Sequence, residues 1–203
     1  EVAREAFWNF YAPGCDEHYL LHIMRSSPNF VKGLDFVAVA DRKIVGIVVF
    51  LKSFILTDDG CKYEVLSMGP IAVLPQYQRM GIGRMLIAHT RKIAAEMGYR
   101  AILLCGEPRY YSKVGFEAAE HFNIRTSEDK YFAALHVCPL YPDALAGVSG
   151  RYYEDVIYNI DSDKAKEFDK LFPRKERIEG TSSQKRFEEV LAMQKNYKSS
   201  SDK

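Results

Sequence analysis

Residues 78–83 read Gln-Arg-Met-Gly-Ile-Gly, and this stretch decides the fold. An apolar run that ends at Leu74 precedes it, and from Gly83 onward apolar residues recur at the three- and four-residue spacing of a helix. A glycine turn at the start of a helix exposes unpaired backbone N–H groups at the positive end of the helix dipole, and both favour an anion. The stretch therefore predicts a phosphate-binding loop between a strand and a helix.

Two common phosphate loops do not fit these residues. A Walker loop requires a Gly-Lys pair, and the chain contains none. The dinucleotide-binding fingerprint requires a third glycine at the position where Leu86 stands. What remains is Gln-x-x-Gly-x-Gly after a strand. By itself this motif leaves open a tight strand-to-helix turn that binds nothing.

The composition is that of a globular domain with ordinary charge. A chain of 203 residues can bury one full core, and a formal net charge of +1 gives no reason to expect nucleic acid or a membrane surface as a partner. The longest apolar run, residues 44–51, is too short to span a bilayer, and no signal peptide is visible. The four cysteines form no Cys-x-x-Cys pair, so we expect no zinc site and a reducing, cytoplasmic setting. Cys105 ends an apolar run and is expected to be buried.

Hydrophobic periodicity predicts a mixed α/β order. The strand–helix–strand unit from residue 62 to residue 105 is expected to be a right-handed parallel crossover, with Gly98 capping its helix. Asp16 is expected to cap the second helix, and His18 and His22 are expected on that helix's surface. The expected helices span 1–11, 16–25 and 83–97, with a short one from Pro108, and the expected strands span 36–40, 44–55, 62–74, 101–105 and 131–137.

The character of the chain changes after about residue 160. Residues 161–203 carry eleven basic and nine acidic residues, with two weak helical stripes that include Phe168, Leu171 and Phe187. Thr181 and Gln184 fit a capping box. We expect a domain over 1–160 and a helical appendage over 161–203 that packs on the domain or on a partner, with a frayed Ser-Ser-Ser-Asp-Lys end. Helical periodicity begins at the first residues, so a strand upstream of residue 1 is also expected.

Two motifs and a proline together resemble the GNAT acetyltransferase superfamily. The glycine loop resembles its pyrophosphate-binding loop, and residues 111–117, Tyr-Ser-Lys-Val-Gly-Phe-Glu, are similar to its Tyr-x-x-x-Gly-Phe-Glu signature. Pro70 lies in the strand before the loop, where a proline is tolerated if the strand bulges or parts from its neighbour. The resemblance covers about residues 1–150 and is strongest to the YhbS-type bacterial proteins. It departs at residues 106–108, Gly-Glu-Pro, where many members have an asparagine.

The resemblance implies a three-layer α/β fold and acetyl-CoA as cosubstrate, with no metal. In that fold two adjacent parallel strands of a central mixed sheet splay apart, here the strands at 62–74 and 101–105, and the pantetheine arm enters the gap. The backbone of Ile71, Ala72 and Val73 would pair with the pantetheine amides. The remaining cofactor-binding residues that the resemblance implies are Gln78, Arg79, Met80, Gly81, Ile82, Gly83 and Arg84.

The implied reaction is direct transfer of an acetyl group to a primary amine of a small-molecule or peptide acceptor. Tyr111 is the implied acid for the departing thiolate, with a packing aromatic as the alternative, and a backbone N–H near residues 68–71 would polarise the carbonyl. Glu64 is the candidate base. An exposed strand-end carboxylate is at least as good an interpretation of Glu64, and Glu107 or a bound water are alternatives.

Several questions stay open at the level of sequence. Because the identity of the base is open, a non-catalytic acyl-CoA-binding or regulatory module remains an alternative to the enzyme. The acceptor is undetermined; Tyr11, Asp16, Glu17 and Tyr19 would attract a cationic amine, or they are ordinary surface residues. A homodimer is neither required nor excluded.

Overall fold

The computed structural model describes residues 1–197, so the expected frayed end lies outside the described residues. The helices are α1 (Val2–Phe7), α2 (Glu17–Met24), α3 (Ile82–Glu96), α4 (Pro108–Tyr111), α5 (Ser162–Asp169) and α6 (Ser182–Leu191). The strands are β1 (Phe36–Ala40), β2 (Lys43–Thr57), β3 (Lys62–Val73), β4 (Ala101–Cys105), β5 (Glu117–Ala118), β6 (Ile124–Arg125), β7 (Lys130–Phe132), β8 (Leu135–Pro139), β9 (Gly150–Tyr153) and β10 (Gln194–Asn196).

One mixed sheet of eight strands forms the centre of the fold. Its order is β5-β8-β4-β3-β2-β9-β6, and β1 pairs with one end of β2. The pairs β3–β4 and β6–β9 are parallel, and the other pairs are antiparallel. The predicted hairpin, the parallel β3–β4 pair and the central position of β4 are confirmed. Helices cover both faces, as the predicted three-layer architecture requires.

The two faces of the sheet carry different cores because side chains alternate along a strand. On one face, Leu66, Ile102 and Leu104 pack against Leu86 and Ile87 of α3. On the other face, residues of β2 and β3 pack against α1 and α2. The glycine loop at the start of α3 and the two N-terminal helices therefore lie on opposite sides of the sheet.

The parallel strands β3 and β4 separate soon after they meet. Their ladder consists of Leu66 opposite Ile102 and Ser67 opposite Leu103, although β3 continues to Val73. Past Ser67, β3 pairs only with β2, and that ladder shifts register opposite the Gly69-Pro70 peptide. The two strands thus part after Ser67, three residues before the proline at which the sequence predicts the bulge.

Three predicted elements differ from those observed. The first helix ends at Phe7, and Asn9 then takes a left-handed conformation with φ of 58°. Asp16 precedes α2, but its side chain makes no capping hydrogen bond, because its backbone is nearly helical (φ −111°, ψ −11°). The strand expected at 131–137 is two strands, of which β7 leaves the main sheet to pair with β10.

The C-terminal segment, residues 161–197, packs on the N-terminal helices. The buried Arg4 of α1 bonds the Asp169 carboxylate of α5 at 2.6 Å, and Phe168 of α5 stacks on His22 at 4.7 Å. His18 is buried against the same segment, so its expected surface position is wrong. The Thr181 capping box on α6 is confirmed, whereas Leu171 is 77% exposed and contributes no packing.

Membrane-crossing helices are missing from residues 1–197: none of their helices combines the length and the apolarity that a bilayer requires.

Candidate active site

The glycine loop presents free backbone N–H groups at the start of α3. Gly81 is the residue before the helix, and no side chain caps the helix N-terminus. The first intrahelical hydrogen bond runs from the Met85 N–H to the Gly81 carbonyl at 2.9 Å. The N–H groups of Ile82, Gly83 and Arg84 are therefore left for another acceptor. Together with the helix dipole they are suited to an anion, the role that the sequence predicts for this loop.

The two positions in the loop require glycine for different physical reasons. Gly81 has φ of 88°, a left-handed conformation that a side chain would strain, and a Cβ there would meet nothing within 4 Å. Gly83 is helical, but a Cβ there would lie 3.0 Å from the Tyr110 hydroxyl. Gly81 thus allows the turn and leaves open space in front of it, whereas Gly83 admits Tyr110 beside the helix.

One side chain of the loop stabilises the loop through a hydrogen bond, and the others are exposed to solvent. Gln78 donates from Nε2 to the Val73 carbonyl at 3.0 Å and ties the loop to the end of β3. Arg79 has φ of 61°, and its side chain is exposed like those of Met80 and Arg84. Gln78 therefore supports the loop, while the two arginines are available to an anion.

A basic cleft continues from the loop along α3. It has a volume of about 290 Å³ and lies between α3 and residues 113–115. Arg84, Arg91 and Lys113 line it, and no acidic residue does. Arg91 donates to the Val114 carbonyl at 3.3 Å and packs so close to Gly115 that a Cβ there would lie 2.4 Å from its guanidinium. No sequence pattern marks Arg91 and Lys113 as neighbours, because they enter the cleft from different elements.

The open edge of β3 lies between this loop and the gap in the sheet. Ile71, Ala72 and Val73 pair with Val48, Ile47 and Gly46 of β2 on one side. On their other side β4 has already diverged. The structure thus brings these three predicted residues to a strand edge that is free to pair with an extended ligand.

Tyr111 closes the end of β4. It ends α4, whose first residue is Pro108 and whose N-cap Glu107 accepts from the Arg109 N–H at 3.1 Å. A Cβ on Gly106 would lie 2.1 Å from the Tyr111 ring, so the ring covers the backbone just past Cys105. Burial raises the pKa of Tyr111, and the nearby Tyr11 adds to the shift. The hydroxyl therefore keeps its proton at neutral pH and can act as a donor.

A cluster of polar side chains lies on the α1–α2 face of the opening, and the sequence alone does not identify it. The Tyr152 hydroxyl and the Ser67 Oγ are 2.5 Å apart, and Tyr158 donates to the Gly69 carbonyl at 3.0 Å. Tyr152, Glu154 and Tyr158 come from β9 and the turn after it, about 90 residues further along the chain than Ser67 and Gly69. No local motif marks them; only the pairing of β9 with β2 brings them here.

Cys105 lies near Glu154, which lines a cleft with residues of β2 and β3. Both are exposed to solvent, so the expectation that Cys105 is buried is wrong. Even so, desolvation by the surrounding protein raises the pKa of the Cys105 thiol and of the Glu154 carboxyl. A group that solvent reaches and that protein nevertheless surrounds is in a concave site.

Neither carboxylate that the sequence offers as a base is well placed: Glu64 lies away from Tyr111, and Glu107 is already paired with Arg186. Glu64 is exposed, pairs with Lys52 at 3.3 Å, and precedes Gly69 by five strand residues, roughly 16 Å. It also faces the α3 side, opposite Ser67, so the structure does not bring it to Tyr111. Glu107 is held by two hydrogen bonds from Arg186 of α6, at 2.8 and 3.0 Å, which lower its pKa.

The Glu17 carboxylate and the Tyr11 phenol lie where the C-terminal segment meets the N-terminal helices. Burial raises the pKa of Glu17 to about 7. Burial also raises the pKa of Tyr11 to about 12, with the charge of Glu17 as the next contribution, and its ring packs on Phe187 of α6 at 4.6 Å. Tyr11 in turn lies close enough to Tyr111 to shift its pKa. Of the four residues expected to attract an amine, Tyr19 packs on Phe168 and Asp16 faces Ser162.

The comparisons with known proteins agree with this geometry. The profile of the acetyltransferase (GNAT) domain matches residues 33–118. The uncharacterized N-acetyltransferase YhbS of Escherichia coli K12 is 33% identical over 141 residues, which are 68% of this chain and 81% of YhbS. The chain belongs to the GNAT acetyltransferase family. It is accordingly an acyltransferase, and within the family it is a homologue of the N-acetyltransferase YhbS.

Two solved GNAT structures resemble this fold. The crystal structure of Escherichia coli YhbS in complex with CoA is 29% identical, with a TM-score of 0.67, and the match covers 78% of this chain and 83% of that one. A GNAT acetyltransferase from Brucella melitensis, solved with acetyl-CoA, is 22% identical with a TM-score of 0.60, covering 77% and 87%. The second match supports the fold alone.

Within the described residues, no group of three or more histidine, cysteine, aspartate or glutamate side chains is placed to hold a metal ion.

Proposed function

We propose that this GNAT protein is an acetyl-CoA-dependent N-acetyltransferase that transfers the acetyl group directly to a primary amine. The observation that carries the proposal is the opening of β3 from β4 past Ser67, together with the uncapped N-terminus of α3, which follows the open part of β3 along the chain. One element offers a free strand edge and the other an anion site. A ligand that joins an extended amide-containing arm to a pyrophosphate matches both, and acetyl-CoA is such a ligand.

The donor-binding residues follow from that match. The pyrophosphate would accept hydrogen bonds from the N–H groups of Ile82, Gly83 and Arg84. The pantetheine amides would pair with the backbone of residues 71–73. The remaining phosphate of CoA would lie in the basic cleft of Arg84, Arg91 and Lys113. The CoA complex of YhbS supports this assignment of the cosubstrate.

The reacting thioester would then lie at the opening of the sheet, next to Tyr111. The β2–β3 register leaves Gly69 and Pro70 without partner residues, and proline has no N–H, so the Gly69 N–H is the donor we assign to the carbonyl oxygen. Tyr111 gives its proton to the departing CoA thiolate. The position of Glu64 does not support a role as the base.

The position of the C-terminal segment is relevant to the size of the acceptor. Its helix α6 holds Glu107 through Arg186 and covers Tyr11 through Phe187, so it overlies the side of the opening opposite α3. We therefore assign the site to the domain at 1–160 and regard residues 161–197 as a wall of the acceptor cleft. A wall at this place favours a small amine over a protein surface.

Amine-dependent release of CoA thiol is the test of this function. Purified protein with acetyl-CoA is given small amines, polyamines, aminoglycosides and peptides with free N-termini, and thiol is measured against the rate without amine. We expect at least one amine to accelerate release. If acetyl-CoA binds but no amine accelerates release, the chain is a CoA-binding module and the proposed reaction is wrong.

A further inference from the structure

We propose that Glu154, at the end of β9, is the residue that takes the proton from the acceptor's ammonium group. This inference rests on the proposed function and supplies the base that the sequence could not identify. It depends on four features of the molecule: the place of Glu154 in the sheet, its accessibility, its lack of a cationic partner, and its relation to Tyr111.

The place of Glu154 is set by the pairing of β9 with β2. Tyr152 lies opposite Ile55 and Tyr153 opposite Phe54. Alternation along the strand directs Tyr152 to the α1–α2 face, where its hydroxyl contacts Ser67, the last β3 residue paired with β4. Glu154 follows two residues later on the same face, with the Tyr152 hydroxyl as a neighbour that shifts its pKa. Its carboxyl is thus beside the point where the sheet opens.

Glu154 is accessible and carries no counter-ion. It is exposed to solvent, so a substrate can reach it. Within residues 1–197, none of the ion pairs includes Glu154, although Lys52 and Lys62 line the same cleft. By contrast, Glu64 is paired with Lys52 and Glu107 with Arg186. A desolvated carboxylate without a cation binds an ammonium group favourably, because the ammonium supplies the missing charge.

The relation of Glu154 to Tyr111 separates base from acid. Cys105 is the common neighbour: Glu154 raises the pKa of Cys105, and Cys105 contributes to the shift at Tyr111. Both groups therefore lie near Cys105 at the end of β4. Their environments keep the phenol protonated and bring the carboxyl nearer to neutral pH, as an acid–base pair requires.

The proton and electron balance of the step is simple. The Glu154 carboxylate accepts one proton from the ammonium and later passes it to water. The neutral nitrogen attacks the thioester carbon, the C–S bond breaks, and Tyr111 gives its proton to the CoA thiolate. The resulting tyrosinate regains a proton from the nitrogen, which has become an amide. No metal or redox partner enters the step.

The pH dependence should reflect these surroundings. The titratable groups near Glu154 are Tyr152 on β9, Tyr158 and Asp155 on the following turn, and Cys105 on β4. Lys52, Lys62 and Glu64 line, together with Glu154, a cleft of about 320 Å³. The base must be ionised to act. Activity therefore rises with pH through the raised pKa of Glu154, and Glu154→Gln removes this acidic limb.

The decisive experiment compares two nucleophiles in Glu154→Gln. With 1,4-diaminobutane, which is cationic at neutral pH, we expect thiol release to fall about 100-fold. With hydroxylamine, which is already uncharged there, we expect a loss of less than about fivefold. Glu154→Asp should recover part of the diamine rate. The exposed Glu128→Gln is the matched control and should behave as wild type, and acetyl-CoA should stabilise every variant equally.

Each contrary result has a distinct meaning. Equal losses with both nucleophiles, or no loss with the diamine, overturn the assignment of Glu154 while the transferase function stands. A loss at Glu17→Gln or Glu64→Gln in place of Glu154→Gln moves the base to that residue and overturns it as well. If wild-type protein releases no thiol with either nucleophile while other amines are active, Glu154 is tested with the most active of them. If no amine is active, the proposed function fails, and the base assignment fails with it.

Discussion

The donor side and the acceptor side of the opened sheet are built in opposite ways. The donor side consists mainly of consecutive residues, 71–84, and acts through backbone groups, a helix N-terminus and the cations of the basic cleft. The side to which we assign the acceptor contains Tyr11, Glu17, Glu154 and Tyr158, which are far apart in the chain, and burial raises the pKa of both carboxyl groups. A shared cosubstrate requires the first arrangement, whereas the second is where a particular acceptor would be selected.

Gly106→Ala should have the largest effect on this contrast, because it acts where the two sides meet. A Cβ there would lie 2.1 Å from the Tyr111 ring, so the ring must leave its place over the end of β4. We expect thiol release to fall at least about 100-fold and stability to fall by about 1–3 kcal/mol. Kinetics and thermal unfolding measure the two effects.

Gly33→Ala is the matched control for this substitution. Its new Cβ would meet only the flexible Met97 side chain, at 3.5 Å. Wild-type kinetics in Gly33→Ala are expected. Wild-type kinetics in Gly106→Ala would show that the position of Tyr111 does not matter.

Tyr111→Phe should have the next largest effect. The substitution removes the proton donor but keeps the ring that covers Gly106. We expect kcat to fall about 30- to 100-fold while the affinity for acetyl-CoA stays the same. Steady-state kinetics and calorimetric titration separate the two quantities. The exposed Tyr141→Phe serves as control, and an unchanged kcat in Tyr111→Phe would reduce Tyr111 to a packing residue.

Arg84→Ala should have the smallest effect, and it should be confined to the donor side. Arg84 is exposed, so the loss of its charge is expected to weaken acetyl-CoA binding only about fivefold, and less at high salt. Dephospho-CoA, which lacks the phosphate assigned to the basic cleft, tests whether that phosphate is the partner. An equal loss of affinity for both ligands would place Arg84 elsewhere.

The elements of the proposed donor side could be predicted from the sequence because their determinants are local. Gly81 stands before α3 because the turn needs a positive φ, and Pro70 stands three residues past the last β3–β4 pair. Both are visible as residue types at fixed spacing. The parallel β3–β4 pair, its opening and the loop follow from such signals.

The acceptor side could not be predicted in the same way. Glu154 has no motif around it, and its role depends on the pairing of β9 with β2 across almost 100 residues. Glu64 has a suitable position in the sequence, but alternation directs it to the wrong face. Local periodicity predicts His18 on a helix surface. The residue is instead covered by α5, and no local pattern shows this long-range contact.

The central claim is that the opened sheet and the glycine loop hold acetyl-CoA, and thermal unfolding with and without this ligand tests it most directly. A ligand that binds only the native state at 100 times its Kd adds about 2.7 kcal/mol of stability. We predict such a rise with acetyl-CoA and none with ATP or NAD at the same concentration. Folded protein with no rise, or an equal rise with ATP or NAD, would contradict the account.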